Sequence, residues 1–514
     1  MNARSPIPGP AGNLQAMPRL LLSAAHKSSG KTTVGVGLCA ALRQRGLAVQ
    51  PFKKGPDYID PMWLAQACGR DCRNLDPFLM RHDEIVSLFC AFAAGADISV
   101  VEGNKGLYDG LALDGSNSNA ALAHMLGLPV VLVIDARGMT RGVAPLILGY
   151  QAFDTNIRIA GVILNNLGGT RHEAKLRAVI EHYTGVPVVG AIQCDPRLDI
   201  GERHLGLVPS RELGDAARRI DAIGAIVGAQ VDLRRILEIA GGAPPLAPAL
   251  PALPALPGPP ARQPRQAKRH GVRIGVARDR AFGFYYPDDL DALRTAGAEI
   301  VPVDTLRDTQ LPDVDGLFIG GGFPEVFMAE LEANAGLRAQ VRNAVDAGLP
   351  VYAECGGLMY LARTLTWKGR TCTMVGAIPG DAVMHDKPVG RGYVRLAATG
   401  RAPWSASGGT MDAGDTGDTV AREVLGHEFH YSSLENLDPG VEFAYRVLRG
   451  YGIEGKHDGL LHRNILASYA HLRSVGGCDW PARFVEFVAA RKNETARTPA
   501  AVAPVNRRGR IAVT

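Results

Sequence analysis

Aromatic residues make up only 6% of the 514 positions, cysteines number eight, and 56 basic residues nearly cancel 51 acidic ones, leaving a net charge of +5. Each scarcity excludes something. No apolar run approaches the roughly 20 residues that a bilayer span requires; LPVVLVI at residues 128–134 is typical of the aliphatic stretches. The opening Met-Asn-Ala-Arg-Ser-Pro holds no apolar core of a secretory leader. Cysteines at positions 39, 68, 72, 90, 194, 355, 372 and 478 are too sparse for a disulfide framework, and the Cys68–Cys72 spacing lacks a second pair to complete a zinc quartet. There is no long basic block and no basic–aromatic alternation outside a short tail, so nucleic acid is not the expected partner. The expectation is a cytoplasmic protein without nucleic-acid or membrane partners; a homodimer is left open.

What is plentiful is apolar sequence, 46% of the chain, enough for two to four domains each with its own core. Nine of the 34 prolines fall between Pro244 and Pro264. Proline removes backbone donors and fixes φ, so residues 241–270 read as a Pro/Ala-rich spacer between two folded halves, 18–240 and 271–490. Residues 1–17 and 491–514 read as disordered tails. Upstream of the spacer, β-branched runs alternate with helical patterns at Leu20–Ala25, Val49–Lys53, Ile98–Glu102, Pro129–Asp135, Ile159–Asn165 and Val186–Ile192. Downstream the rhythm returns at Val272–Ala277, Glu299–Val303, Gly316–Ile319 and Pro350–Ala353. The fold class is α/β in both halves, with parallel sheets whose ligand sites lie at the carboxyl ends of the strands.

The residues that follow those strands carry the chemistry. After the first comes Ala25-His26-Lys27-Ser28-Ser29-Gly30-Lys31-Thr32-Thr33, a P-loop with Ala25 where its first glycine is usual. Backbone amides of Gly30 to Thr33 cradle phosphates there, Lys31 reaches the β and γ oxygens, and Thr32 offers a hydroxyl to Mg²⁺. The second strand ends in Lys53-Lys54-Gly55-Pro56-Asp57-Tyr58-Ile59-Asp60. Lys53 can neutralise phosphate, and the aspartates can hold a metal or orient a substrate group, although Pro-Asp alone is as often a turn. The third strand ends at Glu102, where P-loop folds place a Mg²⁺-completing carboxylate, and continues to Asp109. ATP and Mg²⁺ are the ligands this half is built for.

In the second half, Ala353-Glu354-Cys355-Gly356-Gly357 stands at a strand-to-helix turn, which exposes a thiol at a helix N-terminus and offers the Gly356 amide to an oxyanion. The loop Gly320-Gly321-Gly322 after another strand can supply a second donor at Gly322, and His471 is a candidate base for the thiol. A lone buried cysteine is more often inert packing, and it is the company of the glycine loop and the histidine that favours chemistry. The residue two after His471, where triad-type amidotransferases carry a glutamate, is Arg473.

GKTT, PFKKGPDYIDP, VEGNKGLYDG, GGGFPE, YAECGGLMYL, GHEFHYS and LASYAHL occur in the order and spacing of the cobyrinic acid a,c-diamide synthases, which the chain resembles over about residues 18 to 490. The resemblance implies an N-terminal ATP-dependent amidoligase domain similar to dethiobiotin synthetase and a C-terminal class I glutamine amidotransferase-like domain. It implies Cys355 as glutaminase nucleophile, His471 as its activator, and Asp57, Glu102 and Asp109 in the ATP-dependent step. L-glutamine and a tetrapyrrole carboxylate would be the partners, and Tyr58, Asp60, Arg391, His427 and His430 the residues facing the tetrapyrrole. That tetrapyrrole would be cobyrinate, hydrogenobyrinate or, in one branch, sirohaem. A regulatory P-loop ATPase is the competing class; its signature lysine would lie five residues before Lys31, where His26 stands.

Overall fold

A computed structural model describes residues 17–203, 206–246, 271–404 and 423–497. The first half is built on seven strands: β1 (Arg19–Ala24), β2 (Val49–Lys54), β3 (Arg73–Leu75), β4 (Ile98–Glu102), β5 (Val130–Asp135), β6 (Ile159–Leu167) and β7 (Val188–Gln193). They lie in the order β3-β2-β4-β1-β5-β6-β7, and every pairing is parallel. Side chains alternate across such a sheet. Leu20 and Leu22 accordingly enter a core with helix α1 (Lys31–Gln44), while Leu21 enters the opposite one with Phe89 and Ile147. Both faces are apolar because both are covered by helices.

The second half holds a nine-stranded sheet. Its parallel part comprises the strands Val272–Ala277, Ala298–Val303, Gly316–Ile319, Val351–Glu354 and Ile465–Ser468. Beyond Ile465–Ser468 it turns antiparallel through His457–His462, Glu442–Arg449, Gly390–Ala398 and Glu423–His430. The strands expected from sequence are present in both halves; the antiparallel extension was not expected, since its strands mix polar and apolar residues. The halves are not independent bodies in packing. Phe284, Tyr286 and Phe323 of the second half join Tyr58, Ile59 and Trp63 in the core of the first.

The spacer expectation falls on residues 247–270, outside the described residues apart from 241–246. The expected tail from 491 is corrected at its start, because the last helix runs Trp480–Arg497. Val485 and Val488 are fully buried, and Lys492 beyond them bonds Gly271 O and Asp315, so packing carries the helix past the apolar sequence.

Candidate functional site

The P-loop is shaped by two residues in the left-handed region, Ser28 (φ 65°) and Gly30 (φ 78°). A Cβ on Gly30 would lie 2.1 Å from Asn165 Nδ2, which donates to Ser29 O and pins the loop to the end of β6. Ala25 has no positive φ, so the glycine usual at this position has no conformational task here. Lys31 opens α1 and reaches Glu102 Oε1 at 3.3 Å; Thr32 Oγ1 donates to the same oxygen at 2.8 Å and to Asp60 Oδ2 at 3.2 Å. Thr33 is half-buried and makes no side-chain hydrogen bond among the described residues.

Lys53 is the hub of this cluster. Its ammonium lies 2.5 Å from Asp60, 2.8 Å from Glu102 and 3.6 Å from Asp57. Burial alone would lower the Lys53 pKa, but Asp60, Glu102 and Asp57 together hold it well above its ordinary value. Lys31, beside it, is lowered by burial and by the Lys53 charge. Burial and the neighbouring Asp60 push Asp57 up to about 7. Asp57 also caps the helix Ile59–Cys68 through the amides of Ile59 and Asp60. Asp109, by contrast, is exposed and accepts from Gly106 N, so it shapes its own loop and is not brought into the cluster.

No three His, Cys, Asp or Glu side chains form a metal cage among the described residues. Magnesium rarely needs one, because it keeps phosphate and water oxygens and takes one or two from protein. The observation that fits it is Glu102: fully buried, with Oε1 shared by three donors and Oε2 left with no partner among the described residues. The Thr32 hydroxyl bonds the same carboxylate through Oε1, so two hard oxygen donors of the kind magnesium takes stand together there.

The second centre is an elbow at Cys355, whose backbone (φ 48°, ψ −102°) lies in a region that non-glycine residues avoid. The strand Val351–Glu354 and the helix Gly356–Leu361 force that turn, and the thiol stands close enough to His471 to raise its proton affinity. His471 Nδ1 in turn faces Glu354 Oε2 at 3.2 Å. Glu354 is fixed from behind by Tyr352 Oη at 2.7 Å and the Leu472 amide at 3.0 Å. Burial pulls the imidazolium down, yet Cys355 and Glu354 overcome it and push His471 up to about 10. A thiol, an imidazole and a buried carboxylate in this order can generate a nucleophilic sulfur. Gly356 opens its helix, so its amide has no intrahelical partner. A Cβ there would lie 3.0 Å from Gly322 N, which places the two expected oxyanion donors side by side. A Cβ on Gly321 would fall 2.6 Å from His471 Cε1, so only glycine leaves the imidazole room.

Glu354, Arg73 and Asn74 were missed from sequence, and Arg473 was noted without a role. Glu354 takes the acid's place from the position next to the nucleophile, where only its immediate adjacency to Cys355 could have drawn notice. Arg473 is instead a clamp between halves: fully buried, it donates to Asn74 O of the first half at 2.7 Å and to Asp288 of the second at 2.5 Å. Arg73 meets the same Asp288 at 2.8 Å, and Asn74 Nδ2 donates to Gly55 O and Asp57 O. No local pattern marks these long-range pairs.

The residues expected to face a tetrapyrrole separate. Tyr58 is buried against Phe284, Tyr286 and the His471 ring, its centroid 5.2 Å from the last. Asp60 belongs to the Lys53 cluster. His427 is buried, stacks on His471 at 4.9 Å and pairs with it through reciprocal backbone bonds. Burial, with the charges of His471 and Arg473, lowers it well below an ordinary histidine, so it serves as a neutral backing. His430 is buried and stacks on Tyr469 at 3.9 Å. Arg391 is exposed over the Phe429 ring; its neighbour Tyr393 is what crosses to the first half, bonding Asp76 at 2.9 Å. The structure thus gathers none of Arg391, His427 and His430 into an open wall.

Comparison with known proteins agrees with this two-centre arrangement. Residues 273–475 match the model of a CobB/CobQ-like glutamine amidotransferase domain, and residues 18–200 match an AAA domain. A cobyrinate a,c-diamide synthase of Magnetococcus marinus is 47% identical over 471 residues, 92% of this chain and 97% of that one. Those of Methanosarcina acetivorans (45%, covering 94% and 97%) and Methanosarcina barkeri (42%, covering 92% and 96%) are similar along the same length. No described helix is long and apolar enough to cross a membrane. With both centres in place and likeness running through both halves, the chain belongs to the cobyrinate a,c-diamide synthase family of glutamine-dependent, ATP-driven amide-forming ligases.

Proposed function

We propose that the protein amidates the a and c acetate groups of cobyrinate or its metal-free counterpart hydrogenobyrinate, in cobalamin biosynthesis and in the cytoplasm. The observation that carries the reading is the meeting of two chemically distinct centres across one residue: Tyr58, between Asp57 and Asp60 of the Lys53 cluster in sequence, packs on the glutaminase imidazole.

A carboxylate resists attack by ammonia because oxide is a poor leaving group. Lys31, Lys53 and the first amides of α1 are placed to hold the phosphates of ATP while a substrate carboxylate oxygen attacks the γ-phosphorus and ADP departs. Thr32 and Glu102, with Asp57 close by, would hold Mg²⁺, which when bound supplies positive charge against the transferring phosphoryl group. The resulting acyl phosphate accepts ammonia at carbon and expels inorganic phosphate. In the other centre His471 takes the Cys355 proton, the sulfur attacks the glutamine amide, and the same proton leaves with ammonia. Gly356 and Gly322 amides face the oxyanion, and water then cleaves the thioester to glutamate.

Mass spectrometry of cobyrinate, hydrogenobyrinate and sirohaem, each incubated with the protein, ATP, Mg²⁺ and glutamine, tests the reading. A gain of two amides on a corrinoid supports it. Amidation of sirohaem alone would move the substrate to that branch with the same chemistry, and no amidation of any would overturn it.

A further inference from the structure

A cavity of about 600 Å³ lies between the halves, within the roughly 300–1,000 Å³ of small-molecule sites. Its cationic lining comes from both sides: Arg211 from the turn Ser210–Glu212, Arg278 just after the strand Val272–Ala277, and Arg294 from the helix Pro287–Thr295. Neither Arg211 nor Arg278 has a carboxylate within ion-pair distance among the described residues. Surrounding protein lowers the Arg211 guanidinium and Arg278 lowers it further. Asp71, which lines the same cavity, raises it again but not enough to offset them, and an anionic ligand would neutralise the crowded like charges. Between the arginines the surface is apolar at Met62 and Leu290, suited to the flat body of a large ring.

One wall of the cavity is Asp57 and Tyr58. Asp57 lies against Lys53, the hub of the phosphate centre, and the ring of Tyr58 packs on His471. A ligand here would therefore touch the residues flanking both centres at once. Arg294 is paired with Asp291 at 2.9 Å, but Arg211 and Arg278 stand on opposite halves, so the anion that answers both is one with several separated carboxylates.

Resting on the function proposed above, we propose that this cavity seats the tetrapyrrole, with Arg211, Arg278 and Arg294 holding peripheral carboxylates that are not reacting while Asp57 borders the one that is. The arginines are positioning residues that fix which edge of the macrocycle meets the phosphate. Arg391, on the antiparallel strand Gly390–Ala398, has no part in it.

The test uses the full-length protein with ammonium as nitrogen source, so that glutaminase effects stay out of the readout. Michaelis constants are measured for cobyrinate, ATP and ammonium in the wild type, in Arg211→Ala and Arg278→Ala singly and together, and in the corresponding lysine variants. All these side chains are exposed to the cavity, so the fold is not at risk. The constant for cobyrinate should rise about tenfold for each alanine and about a hundredfold for the pair, with those for ATP and ammonium unmoved and the lysine variants partly restored. Equilibrium dialysis of cobyrinate without nucleotide should show the same loss. An unmoved constant for cobyrinate, or a rise for ATP instead, overturns the proposal while the amidation reading stands. A wild type that amidates no tetrapyrrole overturns that reading, and the proposal with it.

Discussion

The two centres differ in how much of each the protein supplies. At Cys355 every member has its partner: thiol to imidazole, imidazole to Glu354, Glu354 to Tyr352 and to the Leu472 amide. At the P-loop three carboxylates and two lysines crowd together, Lys31 is destabilised by burial and by Lys53, and one oxygen of Glu102 is buried without a partner. Releasing ammonia from an amide is work for residues alone. On the function proposed above, phosphate transfer at the other centre would draw further charge from the nucleotide itself.

Substitutions should divide along the same line. Cys355→Ala should abolish glutamine hydrolysis, by about 10⁴-fold or more, and leave amidation with ammonium intact; loss of both activities in a product assay would mean the centres are not separable. Glu102→Gln should lower both nitrogen routes by about 10³-fold, since activation precedes either; a variant that loses only the glutamine route would place Glu102 elsewhere. Arg473→Ala tests the bridge between centres. Breaking a buried ion pair costs about 3 kcal/mol, here at the lower end because Asp288 keeps Arg73. Denaturant unfolding should register that loss, and unchanged stability would show that the halves dock without Arg473.

Legibility follows the same division. The P-loop centre was readable because its chemistry sits in contiguous motifs after strands: Lys31 and Thr32 in GKTT, Lys53 to Asp60 in one loop, Glu102 at a strand end. A parallel sheet brings such ends together without further information. Cys355 and His471 were readable for the same reason. Glu354 escaped because a strand residue pointing at a distant imidazole has no signature of its own, and the expected position held Arg473, whose partners lie 185 and 399 residues away. Asp109 stood in a convincing motif yet turns to its own loop, while His427 and His430 were expected at the tetrapyrrole from the family resemblance, and a motif does not distinguish a wall from a core. The antiparallel strands lacked the aliphatic runs that announced the others.

Glu354 also allows the finest test of the completed centre. Its carboxylate and the Cys355 sulfur raise His471 to about 10, against an ordinary value of 6.5. A folded-state pKa above the unfolded one means the folded protein binds the proton more tightly. The stability from this pairing is therefore complete below about pH 6.5 and lost as pH rises through 10. Glutaminase activity that requires the protonated His471 should decline as pH rises through about 10. Glu354→Gln keeps the shape and removes the charge, so the alkaline limb of the pH–rate profile should move down by about one to two units, with ammonium-dependent amidation unaffected at every pH. A limb that stays in place would make Glu354 a scaffold for Tyr352 and Leu472 alone, and the Cys355–His471 pair sufficient by itself.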